Sequence, residues 1–99
     1  INENDQLTSL SGLEGLTSVG GRLDIQDNAQ LNSLAGLEGL ASVGGDLDIY
    51  SNPALSNLDG LGNVAQVGGS VEIEKNGLLP DILSLQELQT YITSDPSLE

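Results

Sequence analysis

The chain contains no cysteine, histidine, methionine, phenylalanine or tryptophan, and only two of its 99 residues are basic. Each absence removes a class of function. Without cysteine there is no disulfide framework, thiolate metal site or thiol nucleophile. Without histidine the commonest general base is missing. Fifteen acids set against Arg22 and Lys75 give a net charge of −13, which repels phosphate backbones and anionic headgroups, so no nucleic acid partner is expected. No apolar run is long enough to span a bilayer, so no membrane insertion is expected, and no signal peptide stands out. Tyr50 and Tyr91 are the only aromatic residues, which leaves an aliphatic core. A chain this short depends on efficient packing, and stacked layers of Leu, Ile and Val provide it, because each layer fills the space above the last.

What the chain has in quantity is a repeat. Asn4, Asn28, Asn52 and Asn76 stand 24 residues apart, and so do Leu7, Leu31, Leu55 and Leu79, and Ile1, Ile25, Ile49 and Ile73. The columns Leu10/Leu34/Leu58, Leu13/Leu37/Leu61, Leu16/Leu40/Val64, Val19/Val43/Val67 and Leu23/Leu47/Val71 follow the same step. A fixed period in this range is the mark of a repeat architecture. Leu-x-Ile at 23–25 and 47–49, with Val-x-Ile at 71–73, alternates apolar and polar residues as a half-buried strand does. The glycine pairs 20–21, 44–45 and 68–69 just before it are expected to turn a sharp corner at positive φ. Gly12, Gly36 and Gly60 mark a second corner. The asparagine after each strand is placed to turn its amide inward and bond backbone groups opened by the bend.

These features predict a mainly β fold: a right-handed, parallel leucine-rich β-solenoid over residues 1–79, closed by a C-terminal capping helix and tail over 80–99, all one domain. Pro80-Asp81 followed by Ile82, Leu85, Leu88 and Ile92 fits one face of a helix running to about Thr93. Asp81 or Ser84 serves as its cap, and its apolar stripe is expected on the Val71–Ile73 layer. Ile1 falls at a strand position of a first layer with nothing before it. Upstream chain or self-association through this N-terminal layer is expected to cover it.

The string from Leu40 to Leu61, Leu-x-x-Val-Gly-Gly-x-Leu-x-Ile-x-x-Asn-Pro-x-Leu-x-x-Leu-x-Gly-Leu, resembles the receptor L-domain, the leucine-rich module that binds ligands in the insulin and epidermal growth factor receptors. The resemblance covers roughly residues 1–79. The missing cysteines and large aromatics place the chain nearer the bacterial secreted or surface members. It implies an extracellular or cell-surface, non-catalytic module that recognises a protein or a glycan. A structural spacer in a surface protein, with no ligand of its own, is the alternative.

Function is then sought among residues that point outward from the Leu-x-Ile strands. These form a grid: Arg22, Asp24, Gln26; Asp46, Asp48, Tyr50; Ser70, Glu72, Glu74. Neighbours in adjacent layers stand about 4.8 Å apart. The candidate ligand-binding residues are Asp24, Gln26, Asp48, Tyr50, Glu72 and Glu74. Tyr50 is the one aromatic on the grid and the type of side chain that anchors protein and sugar contacts. In the column Asp24/Asp48/Glu72, unit charges at this spacing repel by about 0.9 kcal/mol even in bulk water, and a Ca²⁺ ion would relieve them. The plainer reading is that Arg22 offsets Asp46 and water screens the rest. No EF-hand loop or glycine-aspartate nonapeptide is present, so no metal and no cofactor are expected. Paired carboxylates occur at glycosidase-like spacing, but a flat acidic ladder offers no pocket to separate their pKa values. No enzyme is expected. The outward columns Thr8/Asn32/Ser56 and Thr17/Ala41/Ala65 are too irregular for an ice-binding face.

Overall fold

The computed structural model describes residues 1–4, 6–77 and 79–93. The regular structure is mostly strand, arranged as two three-stranded parallel sheets with one short helix. The first sheet holds β2 (Leu23–Gln26), β4 (Leu47–Tyr50) and β6 (Val71–Glu74). The second holds the two-residue strands β1 (Ser18–Val19), β3 (Ser42–Val43) and β5 (Gln66–Val67). Every pair is in register at a 24-residue step, as in Leu23↔Leu47↔Val71, Ile25↔Ile49↔Ile73 and Val19↔Val43↔Val67. The two sheets wall a shared interior into which the Leu, Ile and Val columns project. Leu31, Leu34, Leu37, Leu40, Leu47, Ile49, Leu58 and Ile73 are fully buried there.

The asparagine column is also buried and forms a continuous stack. The backbone N–H and side-chain Nδ2 of Asn28 both donate to Oδ1 of Asn52, at 3.1 and 3.0 Å. Asn52 repeats the pattern onto Asn76 at 3.1 and 2.9 Å. Each Nδ2 also reaches a carbonyl 27 positions earlier: Asn28 to Ile1, Asn52 to Ile25, and Asn76 to Ile49. One side chain per layer thus satisfies backbone groups that the bend removes from sheet pairing, as burial requires.

The corners differ from expectation in two ways. Positive φ falls at Gly12 and Gly36 (109° and 115°) and at Asp27, Ser51 and Lys75 (55–59°), the residues just before the asparagines, but not at the paired glycines. At 44–45 and 68–69 the glycines are required by closeness to the layer before. A Cβ on Gly44 would lie 2.3 Å from the carbonyl oxygen of Gly20, and one on Gly68 would lie 2.2 Å from that of Gly44. Gly60 sits in a 3₁₀ turn, Asp59–Leu61, rather than repeating the conformation of Gly36.

The C-terminal helix is shorter than expected. α1 spans Leu85–Thr93, and the Ser84 hydroxyl caps it by accepting the Glu87 N–H at 3.0 Å. Ile82 is not on the helix: it pairs with Ile73 in an antiparallel bridge and is buried. The helix packs Leu85, Leu88 and Ile92 against the core, and Gln89 donates to the Val64 carbonyl at 3.3 Å. The last layer is therefore covered in two parts, Ile73 by Ile82 and the Val64 side by α1. The tail at 94–99 lies outside the described residues. Among the described residues, no helix is long and apolar enough to cross a membrane.

Candidate functional site

Strand alternation aims Leu23, Ile25, Leu47, Ile49, Val71 and Ile73 inward and sets the intervening residues on the other face. The register then assembles the six candidate residues in two columns, Asp24↔Asp48↔Glu72 and Gln26↔Tyr50↔Glu74. All six do share one face. Their side chains, however, are not independently hydrated.

Asp48 is the main departure. It is only 4% exposed, because Arg22 reaches across from the preceding layer and places Nε 2.6 Å from Oδ2 of Asp48. Arg22 also lies 4.0 Å from Asp24, while Asp46, its expected partner, instead accepts the Ser70 N–H at 2.9 Å. The charge and hydrogen bond of Asp48 hold the Arg22 guanidinium above its usual pKa range, with smaller contributions from Asp24 and Asp46. The sequence places Arg22 on the grid but not among the candidate residues. Its length is the clue, since a guanidinium can span one interlayer step and cover the acid beneath it.

The other acids of the column have neutral partners. Nε2 of Gln26 donates to both oxygens of Asp24, at 2.7 and 2.9 Å. The Tyr50 hydroxyl donates to Oε2 of Glu72 at 2.5 Å. That hydrogen bond, together with desolvation and the charges of Glu72, Glu74 and Asp48, pushes the Tyr50 pKa up to about 12. The phenol is thereby held neutral and its hydroxyl is tied to Glu72. Glu74 makes no side-chain hydrogen bond or ion pair among the described residues and remains available to a partner.

Repulsion down the column is thus relieved by Arg22, Gln26 and Tyr50. Among the described residues, no group of three or more acids is placed to hold a metal ion. The face is an open polar surface whose distinctive row, Gln26–Tyr50–Glu74, lies at the C-terminal ends of the three strands. It offers one rigid aromatic ring, a carboxamide and a free carboxylate in line. No protein-family model matches the chain, and neither a curated protein nor a solved structure gives a significant match to it.

Proposed function

We propose that the chain is a leucine-rich β-solenoid of the receptor L-domain type and serves as a non-catalytic recognition module outside the cell or at its surface. It binds a protein or a glycan through the exposed face of the β2–β4–β6 sheet. Parallel pairing at a constant 24-residue step supports the solenoid reading. The functional reading is carried by one observation: the inward residues of the three strands are nearly invariant, whereas the outward row changes from Gln26 to Tyr50 to Glu74. A constant frame with variable outward positions is how a recognition surface is made specific without loss of fold.

Tyr50 is the anchor. Its ring is held by the hydrogen bond to Glu72, so little rotamer freedom remains to be lost when a ligand stacks on it. Glu74 supplies the charge, favouring ligands with basic or hydroxyl-rich groups. The spacer reading is favoured by a different observation. Arg22–Asp48, Gln26–Asp24 and Tyr50–Glu72 satisfy most of the face internally, which reduces what is left for a partner.

The two separate in a binding screen of the purified chain against protein and glycan arrays, followed by Tyr50→Ala and Glu74→Gln. Recognition predicts a ligand whose dissociation constant rises at least about tenfold in either variant, measured where circular dichroism shows both to be folded. A ligand bound equally well by both variants would remove the face from consideration. The absence of any ligand across the arrays would favour the spacer.

A further inference from the structure

Asn76 is the only asparagine of the sequence that is followed by glycine. The pairing has a chemical consequence. In an open chain the amide nitrogen of Gly77 can attack Cγ of the Asn76 side chain, because glycine has no Cβ to hinder the approach or restrict the backbone. The same column carries no such pair in the two layers before. Asn28 is followed by Ala29, whose Cβ crowds the attack, and Asn52 by Pro53, which has no N–H to attack with.

The fold requires both members of this labile pair and keeps them from reacting. Asn76 is 1% exposed. Its Oδ1 accepts from the N–H and Nδ2 of Asn52 at 3.1 and 2.9 Å, and its Nδ2 donates to the Ile49 carbonyl at 2.8 Å. Gly77 turns the chain at a φ of 54°, and a Cβ there would lie 2.7 Å from the Leu55 carbonyl oxygen and 2.8 Å from that of Pro53. The three bonds fix the carboxamide, and burial withholds the water and base that the reaction needs. All three run to the layer before, so lifting the last layer away frees the side chain in a single event.

We propose that Asn76–Gly77 is a site of spontaneous succinimide formation and deamidation, closed while the last layer is in place and open when that layer lifts. The Gly77 nitrogen gives its proton to a solvent base and bonds to Cγ of Asn76. The Cγ–Nδ2 bond breaks, and ammonia leaves after taking a proton from water. Water then adds to either carbonyl of the succinimide and opens a ring C–N bond, which yields aspartate or β-linked isoaspartate. The net exchange is water taken up and ammonia released, with no oxidation or reduction. Neither product rebuilds the stack. Aspartate has no side-chain N–H for the Ile49 carbonyl and sets a buried charge beside it. Isoaspartate adds a methylene to the main chain and shifts the chain that follows. Opening of the last layer is therefore reversible only until the ring closes.

Peptide mapping by mass spectrometry, with isoaspartate detected by enzymatic methylation, follows each asparagine of the full chain at mildly alkaline pH, in buffer and in unfolding urea. In urea Asn76 should convert at least about tenfold faster than Asn28, and Gly77→Ala, which needs no fold in that solvent, should remove the difference. In buffer the rate at Asn76 should fall at least about a hundredfold, in proportion to the fraction of time the layer is open. Ser84→Ala removes the cap of the helix over this layer and should raise the rate in buffer about fivefold while leaving the rate in urea unchanged. Asn76→Asp reproduces one product and should unfold at lower urea than the parent or fail to fold. Equal rates at Asn76 and Asn28 in urea overturn the proposal, as do equal rates at Asn76 in urea and in buffer. A rate in buffer indifferent to Ser84→Ala, or an Asn76→Asp chain as stable as the parent, also overturns it.

Discussion

Replacing Asn52 with alanine removes four hydrogen bonds from a place water does not reach. Its side chain, fully buried, accepts from the N–H and Nδ2 of Asn28 and donates to the Ile25 carbonyl and to Oδ1 of Asn76. After truncation the Asn28 N–H has lost its acceptor, which costs about 1–3 kcal/mol for a buried donor. The other three bonds contribute roughly 0.5–1.5 kcal/mol each. The total, about 4 kcal/mol, is a large share of the roughly 5–15 kcal/mol that holds a domain folded. Urea unfolding followed by circular dichroism measures it, and with a slope of about 1–3 kcal/mol per molar the midpoint should fall by about 2 M. Asn4 is the internal control. It is exposed and donates one side-chain bond to Asn28, at 3.3 Å, so Asn4→Ala should cost less than about 1 kcal/mol. Equal losses in the two variants would refute the stack as a stabilising element.

Gly44→Ala should destabilise by roughly 1–3 kcal/mol, because its Cβ would press on the Gly20 carbonyl, while Gly20→Ala, with open space around it, stays within about 0.5 kcal/mol; equal effects in unfolding experiments would contradict the interlayer contact. Tyr50, in a Tyr91→Phe background, should ionise near 12 by ultraviolet absorbance and move back toward 10 in Glu72→Gln. Since its folded pKa is raised above the unfolded value of 10.0, its stabilising effect is fully present below pH 10 and is lost as pH rises from about 10 to 12. Asp48→Asn should lower the melting temperature, and less so at high salt, because it breaks the bridge to Arg22; a rise would mean that repulsion within the acidic column dominates. Calcium should leave the melting temperature of the parent chain unchanged, and a rise that vanishes in Asp48→Asn would make the column a metal site.

The 24-residue columns alone predict the parallel pairing, the inward Leu and Ile ladders and the buried asparagines, because each depends only on residue type at a fixed step. Three features were less legible. The left-handed residues Asp27, Ser51 and Lys75 share no side-chain type, so no column marks them; their only signal is position, one residue ahead of the asparagine. The paired glycines were visible but explained by φ, whereas the actual constraint is the nearness of the layer before, which a single layer read in isolation does not contain. Pro80-Asp81 puts the helix start too early; of the two caps the sequence offers, Asp81 and Ser84, the one used is Ser84, followed three positions later by Glu87. On the candidate face, strand alternation puts all six residues on one side of the sheet, where Asp48 is buried rather than exposed. It could not show that Arg22 and Tyr50 reach along the ladder and engage Asp48 and Glu72, because long side chains leave the column in which their Cα atoms lie.

The uniform register has a consequence for how such a chain can change in length. Both sheets and the asparagine stack join residues 24 apart, so the two strands and the corner of one layer are matched to the next by counting alone. Deleting one residue between Gly21 and Asn28 would turn the strand's apolar side chains outward and draw the asparagine out of its stack at once. Losing or duplicating 24 residues would leave every column in phase and change the fold by one interface. The tolerated unit of insertion and deletion is therefore a whole layer, and descent by tandem duplication is the route that this geometry leaves open.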